Sequence, residues 1–121
     1  ERMKKLRKVK ITDLAEVIRS KNSGPFELTL DLVFKDREAF EMARHSGLFT
    51  RELFAGLYNV DLEKVIGVVE FEQANAIKAT LVRPIVSGAP GDTDVYGAQQ
   101  HAPLLDLEVP AGDLRNDLDI K

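Results

Sequence analysis

Residues 26–34 read FELTLDLVF, and this stretch restricts the fold more tightly than any other. Phe26, Leu28, Leu30, Leu32 and Phe34 alternate with Glu27, Thr29, Asp31 and Val33. A period of two sends successive side chains to opposite sides of a strand. The segment therefore lays one apolar side on a core and turns the other toward water or a partner. Other segments have to supply its neighbours.

Downstream, Asp36 is placed to cap a helix over 37–46, with Phe40 and Ala43 inward and Gly47 ending it. Thr50 caps a second, shorter helix over 51–58, whose Leu53, Phe54, Leu57 and Tyr58 make one apolar stripe, and Asn59 suits its end. Residues 65–72 are β-branched and aromatic, residues 76–83 alternate Ile77, Ala79 and Leu81 with Lys78, Thr80 and Val82, and 73–75 make the hairpin turn between them. Leu105, Leu107 and Val109 alternate with Asp106 and Glu108, giving a last strand stopped by Pro110 and Gly112. The beginning reads two ways, because Val9 and Ile11 suit a strand whereas Ile11, Leu14, Ala15 and Ile18 keep helical spacing. A short strand running into one or two helical turns before Ser23-Gly24-Pro25 is the expectation.

This order predicts an α+β domain: a mostly antiparallel sheet with helices on one face, ferredoxin-like, with the second crossover helix replaced by a long loop. The opposite sheet face then lacks cover and becomes a candidate interface. With 121 residues, 44% of them hydrophobic, the chain suits one core. The divisions expected are a basic arm over 1–8, a single domain over 9–110 and a tail over 111–121.

Charge and composition exclude several functions. Seventeen basic against 20 acidic side chains leave a net charge of -3, which argues against a dedicated nucleic-acid binder. The cluster Arg2, Lys4, Lys5, Arg7, Lys8 and Lys10 reads as a solvated arm. Without cysteine there is no disulfide, thiolate nucleophile or Cys-ligated zinc. No apolar run approaches the roughly 18 residues that span a bilayer, and the N-terminus lacks a signal-peptide core, so a cytoplasmic protein with no membrane contact is expected.

The long loop is VSGAPGDTDVYGAQQHAPL, residues 86–104, broken by Gly88, Gly91, Gly97, Pro90 and Pro103. It concentrates Asp92, Asp94, Tyr96, Gln99, Gln100 and His101, a mixture too varied for a spacer. His101 can act as general acid or base with Asp92 or Asp94 orienting it, which makes these three the catalytic candidates. The Asp-x-Asp spacing also suits a divalent cation, although Asp and Thr after Gly make turns as readily; no metal site is assigned and the cofactor is unknown. A second polar stretch, RSKNSGP over 19–25, resembles an anion cradle in which Arg19 and Lys21 carry charge, Ser20, Asn22 and Ser23 offer hydrogen bonds, and Gly24 allows close approach. The spacing of a phosphate loop is absent, and an ordinary solvated turn has the same composition. Brought together with Tyr96, Gln99 and Gln100, the two loops form one polar pocket for a small carboxylate or acyl substrate.

The phrases DLAEVIRSKNSGPFELTLD (13–31), FTRELFAGLY (49–58) and RPIVSGAPGDTDVYGAQQHAPLLDLEVP (83–110) resemble a bacterial family of small proteins described only as a domain of unknown function. The resemblance covers about residues 11–110. Members of that family look like companions of the acyclic terpene utilisation proteins, beside them or fused to their C-terminal side. The resemblance implies a small α+β subunit or domain serving a larger catabolic protein that handles branched, terpene-like or carboxylate substrates, including coenzyme A thioesters. It implies no established reaction. Three readings follow: an accessory subunit, not catalytic alone, that completes the site of its larger partner; a homo-oligomeric binding module without chemistry; or a self-contained lyase or hydratase using His101 with Asp92 or Asp94. The first is preferred.

Overall fold

The alternating run becomes an interior strand. In the computed structural model, which describes residues 8–83 and 101–110, it is β3, Glu27–Phe34, with a neighbour on each side; Phe26, expected on the core side, stays in the preceding turn and is 60% exposed. One neighbour is β2, Ala15–Asn22. The other is β5, Ala76–Val82, which pairs in turn with β4, Val65–Phe71, giving the order β2-β3-β5-β4. All three pairings are antiparallel. Since β3 and β4 both oppose β5, they run parallel to each other with β5 between them, a split β-α-β arrangement.

The connection between β3 and β4 carries both helices, α2 over Arg37–His45 and α3 over Arg51–Tyr58. Their caps are the expected ones. Asp36 Oδ1 accepts from the Ala39 amide at 2.8 Å and Thr50 Oγ1 from the Leu53 amide at 3.1 Å, each meeting a donor that a helix start leaves open. Asn59, in the left-handed region at φ 55°, closes α3, and Gly47 at φ 75° follows α2. The turn between β4 and β5 is a 3-10 segment, Glu72–Ala74, ended by Asn75 at φ 53°.

The leucine side of β3 is the core side. Leu28 sits opposite Leu81, Leu30 opposite Ala79 and Leu32 opposite Ile77. These residues are buried in one cluster with Phe40, Ala43, Phe54 and Tyr58 of the helices. Phe34 lies 6.2 Å from Phe40 and 6.3 Å from Phe49, ring centre to ring centre, so the aromatics extend the cluster from strand to helices. Burying a side chain of this kind contributes about 1.5–3 kcal/mol.

Two expectations about the chain ends are corrected. The short strand and a single helical turn, α1 over Ile11–Leu14, are present at the beginning, but the turn is followed at once by the eight-residue strand β2, which was not expected. A bulge between Ala15 and Val17 shifts the register there, so Val17 and Ile18 fall on consecutive positions and the period of two is hidden. The second correction concerns the last strand. Residues 105–109 do not alternate as one strand, because a 3-10 segment, Ala102–Asp106, buries Leu104 completely and leaves Leu105 40% exposed. Only β6, Glu108–Pro110, remains extended, and it pairs with β1, Lys8–Lys10, in a separate two-stranded sheet. The four-stranded sheet therefore takes its fourth strand from β2 and not from the end of the domain. Among the described residues, no helix is long and apolar enough to cross a membrane.

Candidate functional site

The side of the sheet away from the leucines is built in rungs that can be read from the pairing. One rung is Lys21, Thr29, Thr80 and Gly67; the next is Arg19, Asp31, Lys78 and Val69; the third is Val17, Val33, Ala76 and Phe71, each running from β2 across to β4. Charge gathers on the β2 side and apolar surface on the β4 side. The sheet face was expected to lie bare, and only its centre departs from that: Val69 and Phe71 on β4 are 49% and 45% exposed and Arg19 and Lys21 on β2 are exposed, whereas Thr29 and Asp31 between them are buried.

The centre is polar and satisfied. Arg19 Nε donates to Asp31 Oδ2 at 3.1 Å, with the carboxylate sunk into the sheet and the guanidinium largely in water. Lys78 flanks Asp31 from β5 and holds its ammonium 5.5 Å from the centre of the Phe71 ring, so one cation links the charged and the apolar columns. The hydroxyls of Ser23 and Thr29 hydrogen-bond to each other. Asp31, Lys78, Val69 and Phe71 were not singled out in the sequence as surface residues acting together. The signal for Asp31 and Lys78 was present as the polar half of two alternating segments, and for Val69 and Phe71 as a β-branched and aromatic run, but these become one surface only once register is known.

On its core side, β4 has different chemistry. Arg44 of α2 meets Glu41 at 3.3 Å, Glu70 at 3.4 Å and Glu72 at 2.9 Å, tying the helix to the end of the strand. Partial burial opposes the charge of Arg44, and the three carboxylates outweigh that and hold its guanidinium above the ordinary value.

The expected anion cradle does not form as a loop. Residues 19–22 belong to β2, and the pleat sends Arg19 and Lys21 to the outer side while Ser20 and Asn22 lie opposite Leu30 and Leu28 on the core side. Ser23, Gly24 and Pro25 keep the turn role, with Gly24 at φ 100°. His101 is half-buried and opens the 3-10 segment whose Leu104 sits in the core; that segment packs against α1 and α3. Arg19 projects from the other side of the sheet. The described part of the expected pocket is thus divided between the two faces. Asp92, Asp94, Tyr96, Gln99 and Gln100, with the cation suggested for the two aspartates, lie outside the described residues. Among the described residues, no three His, Asp or Glu side chains gather as metal ligands.

A smaller feature is an open groove of about 310 Å³ lined by Asn59, Val60, Asp61, Lys64, Val82 and Arg83. It lies where α3 ends and β5 runs out, and the Arg83 amide there donates to the Phe26 carbonyl at 2.9 Å. Its walls are shallow; of the exposed large apolar side chains, Ile66, Val69 and Phe71 gather on β4, while Phe26, Leu62 and Leu105 stand on other segments.

Fold and surface together define an antiparallel α+β domain with one amphipathic sheet face. Residues 11–108 match the family described as "Domain of unknown function (DUF4387)", and the chain belongs to that family. It matches no curated protein and no solved structure.

Proposed function

We propose that this domain is an accessory subunit or module that docks the outer face of its sheet on a larger protein of the acyclic-terpene-utilisation type, inside the cytoplasm. The observation that carries the reading is the sorting of that face into exposed apolar residues of β4, Val69 and Phe71, beside the cations Arg19, Lys21 and Lys78 around a buried carboxylate. Protein interfaces combine an apolar centre, rich in aromatic residues and arginine, with a polar rim. A ferredoxin-like reading of the split β-α-β unit, with the helices kept to the core side, leaves this face free for a partner. The cations of the rim suit an acidic contact surface. In this reading the segment with Asp92, Asp94, Tyr96, Gln99, Gln100 and His101 contributes to the partner's site for a small carboxylate or acyl substrate, and the domain alone catalyses nothing.

Co-expression with the larger protein, followed by affinity purification through a tag on the partner, tests this. The two chains are expected to co-purify, and Lys21→Glu with Lys78→Glu is expected to weaken the complex about tenfold or more without changing the domain's circular dichroism. A partner that elutes alone and turns over at full rate without the domain overturns the reading. So does a complex indifferent to both charge reversals.

A further inference from the structure

We infer that the open edge of β4 pairs antiparallel with β4 of a second copy of this chain, with the two-fold axis at Val69, joining two four-stranded sheets into one of eight. This inference does not rest on the docking reading, since pairing uses the edge of the strand and docking uses its face.

Several observations select the occupant and the register. Among the described residues, β4 pairs on one side only, with β5. An unpaired edge presents a row of amides and carbonyls that favour strand addition, and proteins usually blunt such edges with lysine, proline or inward charge. β4, VIGVVEF, has neither lysine nor proline, and its one inward charge, Glu70, is held by Arg44 of α2 at 3.4 Å. Its outward residues are apolar and half exposed at Val69 and Phe71.

The register follows from three positions. With the axis at Val69, each Val69 faces its own copy, and each Phe71 faces Gly67 of the other chain. Gly67 has nothing within 4 Å of where a Cβ would stand, so open space lies above it. An aromatic ring laid over a strand glycine restores the packing that the missing side chain gives up. Shifting the axis to Glu70 sets the two Glu70 carboxylates directly opposite, which is unfavourable. Shifting it to Val68 sets Phe71 against Val65, which is fully buried on the core side and cannot meet it. At Val69 the acidic residues fall opposite no acid, and Glu70 keeps its Arg44 partner. A strand that matches itself this well fits a second copy better than an unrelated segment.

The chain has no cysteine, so single-cysteine variants give an unambiguous test. Directly opposed residues of an antiparallel pair lie about 4.5–5.5 Å apart at Cα, within disulfide reach. Under mild oxidation Val69→Cys is expected to form a covalent dimer, whereas Glu16→Cys on β2 is expected to stay monomeric. In sedimentation equilibrium the wild type should move from monomer to dimer mass as concentration rises. Val69→Lys should remain monomeric with an unchanged circular dichroism spectrum, and Phe71→Ala should weaken the dimer about tenfold, because two ring-on-glycine pairs are lost. A wild type that stays monomeric throughout, a dimer untouched by Val69→Lys, or equal cross-linking at positions 69 and 16 overturns the inference.

Discussion

β2 and β4 bound the same four-stranded sheet, and their side chains treat the open edge in opposite ways. On β2, Glu16, Arg19 and Lys21 are exposed, and the bulge at Ala15 and Val17 twists the strand away from regular pairing. These are the usual devices against strand addition. On β4 the exposed outward residues are Val69 and Phe71, its exposed charge Glu70 is tied to Arg44 on the core side, and its bulge is confined to the first residues, between Val65 and Gly67. Association is thereby steered to one side of the sheet. The same steering explains the sorted outer face, since the charged column belongs to the guarded edge and the apolar column to the receptive one.

The largest effect is expected where the two edges are joined. Ser20, Leu30, Ala79 and Val68 form a single rung from β2 to β4 on the core side, and Leu30 is 1% exposed. Leu30→Ala should cost about 2–5 kcal/mol, read from urea unfolding, and should loosen both edges together. A loss under about 1 kcal/mol, below that range, would mean that the edges are held independently, and the comparison between them would lose its common scaffold.

How much of this could be read from the residues depends on how many constraints each segment carries. β3 was legible because Leu28, Leu30, Leu32 and Phe34 sit on every second position of an interior strand. α2 and α3 were legible because Asp36 and Thr50 cap them by the same short-range geometry that makes such residues recognisable. β2 was not. An edge strand needs only one packed side, a bulge breaks its alternation, and Arg19-Ser20-Lys21-Asn22 has the composition of a loop. The 3-10 segment at Ala102–Asp106 failed for the opposite reason: Leu105, Leu107 and Val109 alternate, but the backbone turns beneath them and buries Leu104 instead. Site residues were the least legible. In the sequence Arg19 reads as a ligand for an anion, whereas in the fold its Nε donates to Asp31, a contact set by the β2–β3 register and by nothing local.

That contact gives an intermediate effect and probes the guarded edge. Arg19 is 61% exposed at its side chain and Asp31 9%, so the two halves of the pair are unequal. Arg19→Ala leaves a buried carboxylate with Lys78 as its remaining cationic neighbour and should cost about 1 kcal/mol. The coupling in a double-mutant cycle with Asp31→Asn should be about 0.5–1 kcal/mol and should shrink at high salt, because the guanidinium is mostly in water. A coupling near zero at low salt would reduce the β2 guard to ordinary solvated charge.

The smallest effect separates a property of the strand from a property of its edge. Gly67 is not among the glycines with positive φ, and nothing crowds the place of its missing Cβ. In a monomeric background carrying Val69→Lys, Gly67→Ala should therefore stabilise the domain by about 0.5 kcal/mol, because alanine gives up less backbone freedom on entering a strand. In the wild-type background the same methyl group enters the space assigned to Phe71 of the second copy, so dimerisation should weaken while the monomer gains. Urea unfolding of the first variant and sedimentation of the second read the two signs separately. If Gly67→Ala raises stability equally in both backgrounds and leaves the mass distribution unchanged, the space above Gly67 receives no ring, and the receptive character of β4 rests on exposed apolar area alone.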